Sequence, residues 1–307
     1  MCCEAESFVR GDEFFTMKKN VHQNTEYEYL LNTAVCVRAS NFVTCPAYIS
    51  TTHTRGKSIS FQRNTALNPC ITVEQYKVIE KQCADNVRAL GLNINAVQKT
   101  ATTSFSWPLR MANGLNDCGY YYLANYVDQD TTSPGIKDWN CGTVTYDGHR
   151  GDDIAALPYP FYKMDNNQLE VIAAAPGTIV NKVDGNFDKN CAGNNLTANY
   201  IIVKHADNSY ALYWHMKKNS LTAKVVGQTV ALGEYLGVVG SSGSSTSPHL
   251  HFEVWSGSTS NTLKEAYSGP CNALNATSWW ANQKPYTEPA IIKTQVNLVA
   301  PRNSKRG

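Results

Sequence analysis

The sequence predicts a mainly β protein, a sandwich or a barrel, preceded by a smaller N-terminal region that contains a helix. Short apolar runs at 169–175, 178–183 and 250–255 are the first observation. Glycines separate such runs throughout the second half of the chain, and Pro176-Gly177 marks a turn between two of them. Many short strands with glycine turns are typical of an all-β fold rather than a helical one.

A hairpin is expected where two apolar runs flank a polar tetrapeptide. The runs lie at 200–204 and 210–214, and the polar residues at 206–209 separate them. This pattern is typical of two antiparallel strands joined by a short loop. His205 lies at the tip of this hairpin, well away along the strand from His215, so we expect it to be solvated.

One helix is expected near 73–90, ahead of the β region. Its apolar side chains recur every three or four residues, which marks the buried face of an amphipathic helix, and Gly91 follows where a helix would end. Those side chains are Val73, Tyr76, Ile79, Cys83, Val87 and Leu90. A polar stretch at 98–104 then has the composition of a linker. The division of the chain that we predict is an N-terminal region at 1–102, a main domain at 103–290 and a C-terminal tail at 291–307.

Composition indicates a folded protein and excludes few functions. Of 307 residues, 42% are apolar and 17% charged, and the net charge of +2 is too small to indicate a nucleic-acid partner. No run of about 18 apolar residues occurs, so we expect no transmembrane segment. The first thirty residues lack the basic start and apolar run of a signal peptide.

Ten cysteines predict an oxidising compartment, and therefore a secreted or periplasmic protein. No C-x-x-C pair occurs, so a zinc ribbon or a thioredoxin-type motif is not expected. Six cysteines fall in the first third of the chain and four in the rest, and both even counts suit separate disulfide sets. In the second set we expect Cys118 to pair with Cys141 and Cys191 with Cys271, although four cysteines allow three connectivities.

Four of the seven histidines fall in three short motifs of the β region. The motifs are Gly148-His149-Arg150-Gly151-Asp152-Asp153-Ile154, Tyr213-Trp214-His215-Met216 and Ser247-Pro248-His249-Leu250-His251-Phe252-Glu253-Val254. Alternate residues of a strand share a face, so His249 and His251 should point one way while Leu250 and Phe252 point the other. Two neighbouring imidazoles suit a metal ion, but an H-x-H pair by itself is more often a polar exposed face.

The first motif strengthens the hypothesis of a metal site. Zinc ligands lie about 2.0 to 2.2 Å from the ion, whereas an extended strand would separate His149 from Asp153 by about 13 Å. Both can reach one ion only if the backbone bends between them, and Gly151 is the residue that bends most easily. A helix would also bring them together, but the glycine and the lack of an apolar stripe disfavour it, and no helical H-E-x-x-H motif occurs.

Together and in this order, the three motifs resemble those of the M23 family of lysostaphin-type peptidases, the LytM-like domains. The resemblance covers residues 105–256 and weakens towards about 287. It implies an open antiparallel β-sheet fold with a groove across one Zn²⁺, and it makes 103–290 the peptidase domain. The site residues that it implies are the zinc ligands His149, Asp153 and His251 and the catalytic histidines His215 and His249.

The resemblance implies a zinc-dependent endopeptidase that cleaves peptidoglycan cross-links or Gly-rich proteins. Three protein ligands leave the metal an open position, where a water becomes a nucleophile near neutral pH. His215 or His249 can take the proton of that water or donate to the oxyanion, and the sequence leaves open which does which. A carboxypeptidase that acts on the stem peptides is a related alternative. Another is a non-catalytic LytM-like domain that binds the wall or regulates other enzymes, but all five expected residues are present, which favours the enzyme.

Some features depart from the family pattern or have no assigned role. Asp152 stands where the family usually has an uncharged residue, so it could compete for the metal or support it from a distance. Residues 185–199 resemble an inserted loop that could shape the groove. Region 1–102 could be a pro-segment that covers the groove or an accessory module. The aromatic residues that follow the motifs are expected in the core rather than in the groove: Trp279, Trp280 and Tyr286.

Overall fold

The computed structural model describes residues 69–92, 102–117 and 119–286, and the backbone of two strands at 34–37 and 291–295. The strands are β1 Ala34–Val37, β2 Leu109–Met111, β3 Tyr121–Asn125, β4 Asp152–Ala156, β5 Leu169–Ile172, β6 Gly177–Val183, β7 Tyr200–Lys204, β8 Tyr210–Trp214, β9 Thr229–Val230, β10 Tyr235–Val238, β11 His249–Trp255, β12 Leu263–Lys264 and β13 Ile291–Gln295. The helices are α1 Val73–Ala89, α2 Pro160–Asp165 and a 3₁₀ turn at Ser260–Thr262. None of the helices within these ranges has the length and apolarity to cross a bilayer.

An eight-stranded sheet forms the centre of the protein. Its strands lie in the order β3-β4-β11-β8-β7-β6-β9, β12 also pairs with β11, and all of these pairings are antiparallel. The expected hairpin is β7 and β8, with Ile201 opposite Tyr213. A second, three-stranded sheet has the order β10-β5-β2, and β1 pairs with β13. The prediction of a mainly β, antiparallel fold is confirmed.

The first core lies between the two sheets. From β11 of the large sheet, Leu250 and Phe252 point into it, and Leu169, Val171 and Leu236 enter it from the small sheet. All five side chains are at most 1% exposed. The aromatic residues that follow the motifs also belong here, because Trp279 and Trp280 are buried in this core and Tyr286 packs against it. Their expected place in the core is confirmed.

Helix α1 covers the opposite face of the large sheet. It begins at a capping box, in which the side chain of Thr72 accepts from the backbone of Gln75 and the side chain of Gln75 accepts in return from Thr72. The helix buries four residues of the predicted apolar stripe, Tyr76, Ile79, Cys83 and Val87. They pack against the sheet in a second core that includes Trp214 and Trp255. The predicted helix is confirmed, and residues of the N-terminal region share a core with the sheet.

The disulfide pairing differs from our expectation. Cys141 is bonded to Cys271, with the Cα atoms 5.1 Å apart, so both expected pairs are wrong. The two cysteines meet because their loops pack around Trp139, whose carbonyl accepts from the backbone of Cys271 at 2.9 Å. The even counts of cysteines carry no information on which loops meet in the fold. Cys118 lies outside the described residues, as do His22 and His53.

His205 is buried rather than solvated, which corrects another prediction. It is 2% exposed, its Nδ1 lies 2.8 Å from the carbonyl oxygen of Pro176, and its ring packs edge-on against Phe105. Burial lowers its pKa. The hairpin pattern did not reveal that the chain entering the domain at Phe105 covers the end of β7.

Candidate metal centre

The register of two neighbouring strands brings together two of the residues that the sequence predicts as metal ligands. In the pairing of β4 with β11, Asp153 lies directly opposite His251, so the two side chains leave the same face of the sheet as neighbours. His249 lies two residues earlier on β11 and shares this face, as predicted. It is the face that α1 covers, because Trp255, four residues beyond His251 on the same strand, belongs to the second core.

Three donor atoms meet at one point on this face. His149 Nε2 lies 3.1 Å from His251 Nδ1 and 3.2 Å from Asp153 Oδ1, and His251 Nδ1 lies 3.0 Å from the same oxygen. Ligands bonded to zinc at about 2.1 Å in a tetrahedron stand about 3.4 Å apart. The observed triangle is close to that size, and all three residues are at most 4% exposed.

Hydrogen bonds on the far side of each ring indicate which nitrogens carry protons. His149 Nδ1 lies 2.8 Å from the carbonyl oxygen of Tyr126, and His251 Nε2 lies 3.3 Å from Glu253 Oε2. Both acceptors can only receive a hydrogen bond, so each ring donates outward and turns its other nitrogen, a lone pair, inward. Two lone pairs and a carboxylate in contact repel one another unless a cation lies between them. The donor set therefore fits a metal ion, and the nitrogens and oxygen fit zinc.

Two further histidines border the triangle. His215 Nδ1 lies 2.6 Å from the carbonyl oxygen of Ser242, and His249 Nδ1 lies 2.7 Å from that of Ser247. These bonds direct both Nε2 atoms inward, where neither has a hydrogen-bond partner among the described residues, although His249 Nε2 lies 3.5 Å from Asp153 Oδ1. The two rings are 4.5 Å apart between centroids. His215 has a φ of 66°, in the left-handed region that a non-glycine residue adopts only when its surroundings hold it there.

The charges of the cluster shift the pKa values in opposite directions. Burial disfavours the charged form of His149, but the carboxylate of Asp153 outweighs it and raises its pKa to about 9. The same carboxylate overcomes burial at His249 and raises that pKa to about 10. Burial and the charge of His249 lower the pKa of His215. Burial would raise the pKa of Asp153, but His149 and His249 hold it well below its usual value. Without a cation, the site therefore takes up protons instead.

Gly151 is needed at this site for space. A Cβ atom there would lie 2.7 Å from Cε1 and Nε2 of His251. The sequence singled out this glycine as the bend between His149 and Asp153, but the positive φ of the motif belongs to Gly148, at 74°. His149 lies in the loop before β4 and Asp153 lies within the strand, so the expected bend exists.

Asp152 neither binds nor borders the donor atoms. It alternates with Asp153 on β4 and lies opposite Phe252, which points into the first core. Burial and the nearby charge of Glu265 raise its pKa well above the usual value. Burial raises the pKa of Glu265 to about 8. The neutral form of Asp152 suits this interior, and Asp153 is the carboxylate available to a metal.

Residues 185–199 lie behind His215, one of the two histidines that border the triangle. The loop pairs with the serine-rich turn after β10 at two points, Lys189 with Ser241 and Ala192 with Ser245. This turn also supplies the carbonyl oxygen that accepts from His215. The expected insertion therefore contacts the turn that orients a site residue.

Three functional neighbours escaped the sequence analysis. Glu253 accepts from His251, and the alternation of β11 would have placed it on the same face. Burial alone would raise its pKa, but the hydrogen bond from His251 and the charge of Arg150 hold it below the usual value. Tyr76 of α1 donates to Glu253 at 2.7 Å. Cys70 lies beside the donor triangle, and no motif indicated it.

An antiparallel β fold that holds two histidines and a carboxylate in contact, beside two more histidines, is typical of a metal-dependent peptidase. Residues 148–262 match the model of peptidase family M23. This part of the chain contains all three histidine motifs, and its similarity to that family agrees with the resemblance of the motifs.

Curated relatives and solved structures resemble parts of the chain. An uncharacterised metalloprotease of Buchnera aphidicola is 31% identical over 173 residues, which are 53% of this chain and 43% of the relative. Peptidoglycan DD-endopeptidase ShyC of Vibrio cholerae is 24% identical over 154 residues, 44% of this chain and 35% of the relative. The catalytic domain of lysostaphin from Staphylococcus simulans is 26% identical, with a TM-score of 0.29, over 39% of this chain and 76% of that domain. The matches thus span less than half of the curated relatives.

Proposed function

We propose that this protein is a zinc-dependent endopeptidase that hydrolyses peptide bonds in peptidoglycan cross-links or in Gly-rich proteins. One observation carries the proposal: three acceptor atoms converge within 3.2 Å of one another beside two histidines whose inward Nε2 atoms accept or donate no hydrogen bond among the described residues. The family match and the peptidoglycan endopeptidase among the relatives support the substrate class. A secreted or periplasmic location suits such a substrate and the disulfide bond.

In this proposal each residue has one task. His149, Asp153 and His251 would hold one Zn²⁺, which when bound supplies a Lewis acid for the water and the scissile carbonyl. Glu253 and the carbonyl of Tyr126 fix the ligating rings in the correct tautomer.

His215 and His249 move protons through Nε2, since the backbone carbonyls occupy their Nδ1 atoms. One takes the proton of the attacking water, and the same or the other delivers it to the leaving amine. Whichever histidine is protonated can also donate to the oxyanion.

The test compares zinc-loaded and metal-free protein on purified peptidoglycans with different cross-bridges and on a Gly-rich protein, and sequences the released peptides. Zinc-dependent release at one kind of bond is expected. Asp153→Ala should lose the metal, whereas Asp152→Ala, its matched control, should keep it because that side chain faces the other core. Full activity of thoroughly metal-free protein would contradict the proposal. Binding to peptidoglycan without cleavage, in zinc-loaded protein with an open site, would favour the non-catalytic alternative.

A further inference from the structure

Cys70 lies at the metal centre although it belongs to the N-terminal region. Its Sγ and the donor atoms of His149, Asp153 and His251 all lie within 4.8 Å of one another. The same sulfur groups in this way with the ring nitrogens of His215 and His249. The thiol therefore faces the triangle from the side on which the catalytic histidines lie, where a substrate carbonyl would have to approach.

The chemistry of the thiol suits a fourth ligand. Zinc in proteins prefers four ligands in a tetrahedron, and cysteine sulfur is among those that it binds best, at about 2.3 Å. The triangle of two nitrogens and one oxygen leaves one position open, and among the described residues Cys70 is the one that joins these three in a group able to hold a metal ion. Among the described residues, Cys70 contacts the hydroxyl of Tyr146 at 3.0 Å and is within hydrogen-bond reach of the imidazoles of His149 and His215. None of these contacts prevents a bond to metal.

The helix that follows Cys70 holds it in place. Ile71, the next residue, is 3% exposed in the second core, and α1 begins two residues later at its capping box. Tyr76 donates to Glu253, the carboxylate that also accepts from His251. The backbone of Ser260 donates to Glu80 at 2.8 Å. The sulfur is thus presented by an anchored segment rather than by a loose chain.

Burial of the site agrees with an occupied fourth position. His149, Asp153, His215 and His251 are between 0% and 4% exposed. An endopeptidase that cuts a polymer needs an open groove over its metal. The described arrangement buries that metal position under the segment that carries Cys70, so a polymer chain reaches it only in molecules in which this segment has moved.

We infer that Cys70 is an inhibitory fourth metal ligand, which keeps this peptidase latent until the segment before α1 is displaced. The inference rests on the proposed zinc site and adds its regulation. Displacement exchanges the sulfur for water at the same position, so no redox step is involved. The expected active form has its metal held by three protein ligands and its groove open.

The first experiment measures the coordination of zinc in the full chain by X-ray absorption. One sulfur at about 2.3 Å is expected in the full chain and none in Cys70→Ala or in Cys70→Ser. Cys83→Ala is the matched control, because Cys83 lies on α1 in the same N-terminal region but is buried in the second core, and it should keep the sulfur signal. Zinc bound without sulfur in the full chain would overturn the inference and leave the proposed function intact. A full chain that binds no zinc would instead contradict the proposed function.

The second experiment tests, without a substrate, whether an added ligand can reach the metal. In the cobalt-substituted protein, acetohydroxamate should change the visible spectrum of Cys70→Ala but not that of the full chain or of Cys83→Ala. Peptidoglycan cleavage by Cys70→Ala should rise about tenfold or more, as for a site that is closed in at least nine of ten molecules. Circular dichroism confirms that the variants are folded. A sulfur signal with equal hydroxamate response in all variants would make Cys70 a structural ligand and overturn its inhibitory role.

Discussion

At the scale of single residues, the two histidines of β11 lie on the same face of the sheet, but their rings hydrogen-bond to different acceptors on the side away from the donor triangle. His251 is oriented by a carboxylate, Glu253, and His249 by the carbonyl oxygen of Ser247. A carboxylate partner raises the basicity of a ligating imidazole and suits a residue that holds a metal. A carbonyl partner is compatible with either role, since His149 also has one in Tyr126, and it leaves the ring of His249 able to gain and lose a proton. What separates His249 from the ligands is its place beside the donor triangle rather than in it.

The two histidines should therefore respond differently to substitution. His249→Ala and His215→Ala should keep near-stoichiometric zinc but lose about 10² to 10⁴ in turnover, the usual loss for a group that transfers protons. His251→Ala should lose both zinc and turnover, since only His149 and Asp153 remain of the triangle. Zinc content and peptide cleavage are measured side by side on folded variants that also carry Cys70→Ala, so that latency does not mask the effect. Loss of zinc from His249→Ala, with retention in His251→Ala, would invert the assignment.

The raised pKa of His149 makes the stability of the metal-free protein depend on pH. Its folded value of about 9 exceeds the ordinary value of 6.5, so the proton stabilises the fold fully below about pH 6.5 and this contribution is lost as the pH rises through about 9. His249, at about 10, acts in the same direction. Zinc binds in place of these protons, so the affinity of the site for zinc should rise with pH over the same range.

Thermal unfolding from pH 6 to pH 10, with and without zinc, measures this effect. The gain in melting temperature on adding zinc should increase with pH up to about 9 to 10. Burial raises the pKa of Glu265 to about 8, and the charge of His149 opposes that rise. Glu265 is present in both curves, so their difference reports mainly on the histidines. A gain that stays constant or falls with pH would show that no proton is displaced from the cluster.

The sequence predicted the placement of those residues whose position depends on a local pattern such as the alternation of a strand. The alternation of β11 placed His249 and His251 on one face, and the family motifs added Asp153 as a neighbour. Cys70 and His205 obey no such rule, since their surroundings come from distant parts of the chain. Contacts of this kind arise when separate elements pack, and neither composition nor periodicity contains them.

At the scale of elements, α1 is the helix for which the structure adds most to what the sequence predicted. Its spacing predicted an amphipathic helix, and the helix exists, but the sequence did not say which surface it covers. The structure places it on the face of the sheet that carries the metal centre. The pairing of β7 with β8 was predicted as a hairpin, because the two strands are neighbours in the sequence. The partners of β4, which are β3 and β11, are known only from the structure.

The helix should behave as an integral part of the folded unit. Ile79 is 3% exposed and Val78, its neighbour in the helix, is 56% exposed. Ile79→Ala should lower the free energy of unfolding by about 2 to 4 kcal/mol, because it removes buried methyl groups and leaves a cavity. Val78→Ala, the matched control, should change it by about 0.5 kcal/mol or less. Denaturant unfolding followed by tryptophan fluorescence measures both, and equal small effects would mean that α1 is not docked in solution.

At the scale of the whole molecule, the large sheet has two different coverings. One face packs permanently against the three-stranded sheet, in a core formed by residues of the main domain. The other face packs against a helix that comes from before the polar stretch at 98–104. The metal centre lies on this second face, so the part of the chain that closes the site also completes a core. Stability and latency are therefore expected to be linked in this protein.

Removal of residues 1–102 should separate these two effects. A chain that begins at Thr103 loses α1 and exposes the sheet residues of the second core, among them Trp214 and Trp255. It should melt about 10 °C or more below the full chain, since a loss of about 4 kcal/mol shifts the midpoint by roughly 2 to 4 °C per kcal/mol in a domain of this size. Per folded molecule it should cut peptidoglycan at least as fast as the full chain, and at the rate of Cys70→Ala or faster, because neither the sulfur nor the helix covers the metal. Activity is therefore measured well below the melting temperature and divided by the folded fraction from circular dichroism. A shortened chain that is folded, binds zinc and cuts no faster than the latent full chain would show that residues 1–102 belong to the working enzyme.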